Sequence, residues 1–329
     1  MKFRNIFSAT ALAVVALAGF VSCDTDVEKE TIQHQYKYDP QYLENLRAFK
    51  KSPHEVSYAY YASYTNTLNP TSWGERILGL PDSIDIVNLW TGIPTLEENP
   101  IAYEDMVKSQ KERGTRFVLH ADAAHYNHWI WARVWNEEKG EFEYEYDEEG
   151  NHIVIKTAPG DRTSIEYYAR WAVDTLVQAG IDGVDFDYEG WSGGDITIVA
   201  EECDKYLGEN GKWPEKLFII DWFNGAPPAD TEPYTDYYVR QAYTWQIGFQ
   251  TGTGGRPYEK TIFCESTGAE AQDGGVNGAM VRDYAAWEPS TGHKGGFGAY
   301  YIDYNYKSQS GIPYKEYREA IQIQNPAVR

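Results

Sequence analysis

The stretch IDGVDFDYEG, residues 181–190, sets four carboxylates, Asp182, Asp185, Asp187 and Glu189, into eight positions. Apolar Ile181, Val184 and Phe186 run between them, so the segment reads as a buried strand. An ionised side chain is seldom buried alone, because stripping its water costs several kcal/mol or forces it to take up a proton. Side chains alternate across a strand, which puts Asp185, Asp187 and Glu189 on one face and Val184, Phe186 and Tyr188 on the other. Positions two apart are separated by about 6.5–7 Å along the strand. Like charges at that spacing cannot all ionise freely, so one proton is expected to be shared along the row. A carboxyl with raised proton affinity is what a general acid needs near neutral pH. A metal site would draw several oxygen ligands from adjacent loops; no EF-hand-like array is present, and no metal is expected.

Such a row needs a rigid scaffold. Short apolar runs at 56–64, 83–90, 116–122, 181–189, 216–223, 237–243, 261–266 and 296–304 read as strands. Helical patterns lie between them, clearest at 164–180, where Ile165, Tyr168, Trp171, Ala172 and Leu176 recur at helical spacing before Gly180. Eight strands mostly separated by helices predict an α/β fold, a single (β/α)8 TIM barrel spanning 51–329. A doubly wound open sheet would carry a Gly-rich phosphate loop after its first strand, and none is visible. Residues 138–156 hold two alternating runs around Asp-Glu-Glu-Gly-Asn, which predicts a β-hairpin inserted after strand 3. Loops after strands build the C-terminal face of a barrel, so the hairpin is expected to wall one side of a cleft there, a plain surface decoration being the alternative.

The form Asp-Gly-x-Asp-x-Asp-x-Glu at the end of the fourth predicted strand resembles the signature of glycoside hydrolase family 18. That resemblance implies Glu189 as the general acid and Asp187 as the residue that orients and charge-stabilises an N-acetyl group. It implies Asp185 as a buried partner sharing a proton with Asp187, and Asp182 as a supporting residue. It also implies substrate-assisted chemistry, in which the sugar's own acetamide replaces a second carboxylate as nucleophile. The sixth strand reads RQAYTW, and Gln241-x-Tyr243 is similar to the endo-β-N-acetylglucosaminidases rather than to the Met-x-Tyr-Asp of chitinases. Tyr243 would then hydrogen-bond the attacking acetamide carbonyl, with Gln241 nearby. Tyr300 would floor the sugar at the cleavage point, Tyr301 being the other choice on that strand. The implied partner is the N-glycan of a glycoprotein; a non-catalytic glycan-binding protein of the same fold and a chitinase are the alternatives.

Other residues at strand ends are candidates for lining the cleft: Asn88, Trp90, His120, Asp122, Asp221, Trp222, Asn224, Glu265 and Asp303. His125 is a further candidate, and Trp129, Trp131 and Trp135 could be glycan platforms or ordinary packing. The composition agrees with sugar binding without requiring it: 27 Tyr, 11 Trp and 12 Phe supply flat faces with polar handles. A net charge of −21 argues against nucleic acid and against electrostatic adhesion to anionic lipid. No cofactor motif is present. Residues 1–22, with Lys2 and Arg4 before an apolar run, read as a signal peptide. GFVSC resembles a lipobox, which implies lipidation of Cys23, a tether over 23–50, and an outer-membrane, surface-exposed lipoprotein that touches the membrane only through that anchor. A monomer is expected.

Overall fold

A computed structural model of the chain describes residues 37–121, 128–268, 271–275 and 280–326. Eight strands form the barrel: β1 (Val56–Tyr61), β2 (Ile86–Leu89), β3 (Arg116–Ala121), β8 (Gly183–Asp187), β9 (Leu217–Trp222), β10 (Tyr237–Gln241), β11 (Thr261–Ser266) and β12 (Gly296–Tyr300). Strands β4 (Trp129–Trp131), β5 (Arg133–Asn136), β6 (Glu141–Tyr144) and β7 (Val154–Lys156) lie outside it. The barrel closes in the order β1-β12-β11-β10-β9-β8-β3-β2, every pairing parallel. The (β/α)8 barrel expected from the spacing of strands and helices is therefore the observed fold.

Each barrel strand is buried on both faces, as a parallel sheet wrapped by helices requires. Alternation sorts its residues into two cores. Tyr58, Ile86, Val118, Ile219, Val239, Ile262 and Cys264 fill the lumen. Val87, Phe117, Val184, Phe186, Ile220, Phe263 and Phe297 face the helical layer. Helix α3 (Arg162–Gln178) buries Ile165, Tyr168, Ala172 and Leu176 on one stripe and ends before Gly180, whose φ of +65° breaks it. Helix α4 (Gly193–Leu207) packs beside it, its N-terminus capped by Ser192 Oγ accepting from Asp195 N at 3.1 Å. One compact unit runs from Gln41 to Arg329. Helix α1 (Pro40–Lys50) belongs to it because Lys50 Nζ donates to Asp82 O at 2.8 Å and to Thr115 Oγ1 at 3.1 Å. Burial lowers that ammonium to about 8.

The insertion after β3 differs from a hairpin over 138–156. Strand β6 pairs with β5 and β7 with β4, so both runs of that segment add to residues 129–136. Around the Asp-Glu-Glu-Gly-Asn turn the two runs do pair as a short hairpin, through the antiparallel Tyr146–His152 bridge with Ile153 N on Glu145 O and Asp147 N on Asn151 O, both at 2.9 Å. Its inner side packs on the helical layer. Arg133 is buried against the Asp174 carboxylate of α3, and Trp135 packs its ring 5.9 Å from Tyr206 of α4 and 5.4 Å from Trp213. Ile130 and Ala132 are buried while Trp129 and Trp131 are exposed. A face that alternates apolar-in and mixed-out must cover apolar surface, and the outer flank of α3 and α4 supplies it. Trp135 thus packs, and the Trp129 and Trp131 indoles stay exposed, Trp131 stacked on His152.

Closure brings β12 against β1 so tightly that Gly296 has no room for a side chain. A Cβ there would stand 1.9 Å from Val56 O, at a φ of +155°. Gly296→Ala is expected to lower the unfolding free energy by roughly 2–4 kcal/mol, from overpacking plus backbone strain. Denaturant titration checks this, and an unchanged midpoint would contradict it.

Candidate active site

Strand β8 carries the acidic row through the depth of the barrel. Asp182 lies at its N-terminal end, where Oδ2 accepts from Phe117 N at 2.9 Å and Gln110 Nε2 at 2.8 Å. It ties β3 to β8 at the floor and takes no part in the mouth. Asp185 is fully buried in the lumen, and Asp187 closes the strand, half-buried. Tyr188 N bonds Asp221 O at 2.7 Å, after which the chain leaves the barrel. Glu189 stands exposed at the rim, followed by Gly190 with φ +85°. One strand therefore spans a gradient from dry to wet.

The lumen explains how Asp185 is tolerated. Its Oδ2 accepts from the Tyr58 hydroxyl and, at 2.8 Å, from Asn88 Nδ2. Asn88 Nδ2 also lies 2.9 Å from Tyr58 Oη and 3.3 Å from His120 Nδ1. Ligand atoms of His120, Asp185 and Asp221 all lie within 4.8 Å of one another. Asp221 Oδ1 accepts from Gln241 Nε2 at 2.5 Å. Asp185 Oδ1 and Asp221 Oδ2 have no other partner among the described residues. Burial pushes Asp185 up to about 6, and pushes Asp221 well above the carboxylate range with added repulsion from Asp185 and Asp187. Both carboxyls are thereby disposed to take up a proton, and Asp221, one strand away on β9, adds a third carboxyl to the interacting row of Asp185 and Asp187. A lone Asp inside the apolar run FIIDWF was the only sequence signal for it.

Aromatic rings close the mouth. Tyr300 stacks on Tyr243 with centroids 5.3 Å apart and meets Tyr60 at 5.7 Å and Trp90 at 5.1 Å, both edge-on. Phe223 stacks on the other side of Tyr243 at 5.9 Å. Burial holds the Tyr243 and Tyr300 phenols well above their usual range, so both remain protonated donors. Two expectations about the lining need correction. Trp222 points away from the lumen: parity with inward Asp221 turns it outward, where the Arg240 guanidinium covers its ring at 4.1 Å. Asn88 is fully buried beneath the mouth as a donor to Asp185, out of reach of a ligand. Asn224 is exposed in the loop after β9, while Asp122 and His125 lie outside the described residues.

Residues 24–265 match the model of glycoside hydrolase family 18, BT1044-like. The chain belongs to that family. It is 26% identical over 342 residues to endo-β-N-acetylglucosaminidase F2 of Elizabethkingia meningoseptica, covering 92% of this chain and 91% of the relative. A selenomethionine form of a Glu-to-Gln variant of BT1044 superposes with a TM-score of 0.64 at 20% identity, over 90% of this chain and 97% of the other. A double variant of the endo-β-N-acetylglucosaminidase of Cordyceps militaris, in complex with fucosyl-N-acetylglucosamine-Asn, gives 0.59 at 20% identity over 89% and 98%. At that identity the two structures speak for the fold alone.

This family 18 barrel supports its site from behind as well as from within. Glu265 was a candidate for the cleft, yet strand parity turns it outward from β11, fully buried. Its Oε1 accepts from Thr244 N at 3.0 Å and Ser266 N at 2.7 Å, and Oε2 from the Thr244 hydroxyl. It therefore pins the turn immediately after Tyr243. Burial pushes this carboxyl up to about 7. The folded state binds the proton more tightly than the unfolded chain does. The associated stability is present below the ordinary glutamate value and is lost as pH rises towards 7, an effect on the order of 3 kcal/mol. A glutamine keeps the two backbone N–H bonds on its carbonyl oxygen, and its Nε2 can donate to the Thr244 hydroxyl in place of the third, without the charge. Glu265→Gln should thus flatten the fall in unfolding free energy between pH 4.5 and 7, as read by denaturant midpoints; an unaltered slope would refute the assignment.

Proposed function

We propose that this chain is an endo-β-N-acetylglucosaminidase that hydrolyses the GlcNAc-β-1,4-GlcNAc core bond of N-glycans by substrate-assisted retaining catalysis. The observation that carries the reading is the arrangement at the mouth: Asp187 ends β8 half-buried, Glu189 follows it exposed, and the stacked rings of Tyr243 and Tyr300 stand at the ends of β10 and β12. The likeness to the F2 enzyme points the same way.

In this reading the sugar at the cleavage point lies over Tyr300. Its acetamide oxygen attacks the anomeric carbon as the glycosidic C–O bond breaks, and Glu189 gives its proton to the departing oxygen. Tyr243 donates to the acetamide oxygen and holds it in line; Asp187 accepts from the acetamide N–H and offsets the positive charge of the oxazolinium. Water then adds to the anomeric carbon, Glu189 takes its proton, and the acetamide is restored with configuration retained. Gln241 and Asp221 act from below by fixing the strand that delivers Tyr243. Cys23, outside the described residues, is proposed as the lipid attachment point of a monomeric enzyme displayed on the outer membrane. Among the described residues no helix is long and apolar enough to cross a membrane.

Incubation with a high-mannose glycoprotein, a complex-type glycoprotein and chitooligosaccharide, read by mass spectrometry, tests the reading. One N-acetylglucosamine should remain on Asn. Glu189→Gln should lower kcat by roughly 10²–10⁴-fold, and Tyr243→Phe by about 10²-fold. Cleavage of chitooligosaccharide alone would make the chain a chitinase, and binding without cleavage would make it a glycan-binding protein.

A further inference from the structure

The His120 imidazole belongs to the lumen network, yet the proposed chemistry gives it no task. It comes from β3 in register with Asp185, and it is half-buried where that acid is fully buried. Its Nδ1 lies 3.3 Å from Asn88 Nδ2, and one of its nitrogens lies within 4.8 Å of oxygens of both Asp185 and Asp221. Tyr60 meets the ring edge-on at 6.3 Å. The titratable groups about the ring, among the described residues, are thus Tyr58 and Tyr60 on β1, Asp185 on β8 with Asp187 one inward step further along, and Asp221 on β9.

Counting hydrogens fixes how these groups face one another. Asn88 Nδ2 carries two, and its neighbours are Asp185 Oδ2 at 2.8 Å, Tyr58 Oη at 2.9 Å and His120 Nδ1 at 3.3 Å. Asn88 Oδ1 has no partner among the described residues, so the N–H side alone orients the amide. The Tyr58 hydroxyl gives its own hydrogen to Asp185 Oδ2 and leaves its oxygen to accept. An Nδ1 set against that amide must accept as well, which makes His120 a neutral imidazole with its proton on Nε2. An imidazolium would set N–H against N–H. The amide would then have to turn over and present Oδ1 to Asp185, where an ionised carboxylate repels it.

That orientation bears on the reaction. Burial pushes Asp185 only to about 6 and Asp221 well beyond the carboxylate range, so Asp185 is the one of the two that bears charge near neutral pH. It shares its face of β8 with Asp187, one inward step below it. Negative charge there offsets the positive charge of an oxazolinium, and N–H donors are what allow a dry lumen to hold it. The nearby acids draw a proton towards the ring; the amide, while it donates to Asp185, holds that proton off. We infer that neutral His120 is a positioning residue: by accepting from Asn88 it keeps the amide on Asp185 and negative charge beneath the oxazolinium, and hydrolysis falls away when the ring takes up a proton. Its part in hydrolysis rests on the endoglycosidase reading; the Asn88–His120 bond and its tautomer do not.

Two measurements on the purified chain test this. Nitrogen-15 spectra of the imidazoles, with His120 assigned by its loss in His120→Gln, read the tautomer near neutral pH; a protonated Nε2 and a bare Nδ1 are expected. Turnover of an N-glycosylated protein between about pH 4 and 8 reads the consequence. His120→Leu, which cannot accept from Asn88, should lower kcat about tenfold with KM unchanged, the worth of one hydrogen bond. His120→Gln, which can accept through Oε1 but gains no charge, should restore most of that loss. It should also move the acid limb of kcat to lower pH by roughly half a unit or more, because an imidazole ordinarily titrates near 6.5. A hydrogen on Nδ1, an unmoved acid limb in His120→Gln, or equal losses in the two variants overturns the inference. If the unaltered chain cuts no N-glycan yet shows the expected tautomer, the hydrolase reading falls and the Asn88–His120 bond stands. If N-glycans are cut and the proton sits on Nδ1, the reverse holds.

Discussion

The burial of two carboxyl groups in one dry lumen constrains everything around them. Asp185 and Asp221 sit where a single uncompensated charge would cost several kcal/mol. Their answer is a network drawn from six strands: Tyr58 from β1, Asn88 from β2, His120 from β3, the two acids from β8 and β9, and Gln241 from β10. No open sheet could gather those side chains, because its two ends never meet. Closure of the barrel is thus the condition for this network as much as for the fold's stability.

The same strand then leads from that dryness out to solvent. From Asp185 to Asp187 to Glu189 the surroundings pass from fully buried to exposed, while the β12, β10 and β2 rings narrow the opening. Burial raises the proton affinity of Asp185 and Asp221, which limits the negative charge in the lumen beneath Asp187. Behind the strands, Glu265 does for the Tyr243 turn what Asn88 does for Asp185. Each satisfies a buried polar group, so that the side chain facing the substrate needs little reorganisation.

The insertion after β3 shows how a loop is diverted. Its apolar alternation found a partner in α3 and α4, and a buried Arg133–Asp174 pair secures it there. The rim opposite the acid is built instead by segments after β1, β2 and β12, which have no regular pattern to announce them. The fold is common to this chain and a structure only 20% identical to it, which superposes with a TM-score of 0.64.

The chain order determined a good deal by itself. Period-two alternation in residues 181–189 placed Asp185 and Asp187 on one face, and helical spacing at 164–180 marked α3, because both are local rules of backbone geometry. Eight strands with helices between them implied the barrel. What remained was non-local. A strand apolar on both faces does not say which face is the lumen, so Asp221 and its outward neighbour Trp222 read alike as lining residues. Asn88 showed no sign that its amide would be spent on a carboxylate ninety-seven positions away. The runs at 138–156 looked like partners because sequence neighbours usually are, yet each paired with 129–136. Only the closed barrel decided these matters, because hydrogen bonds between distant strands and the burial of charge exist solely once the chain has met itself.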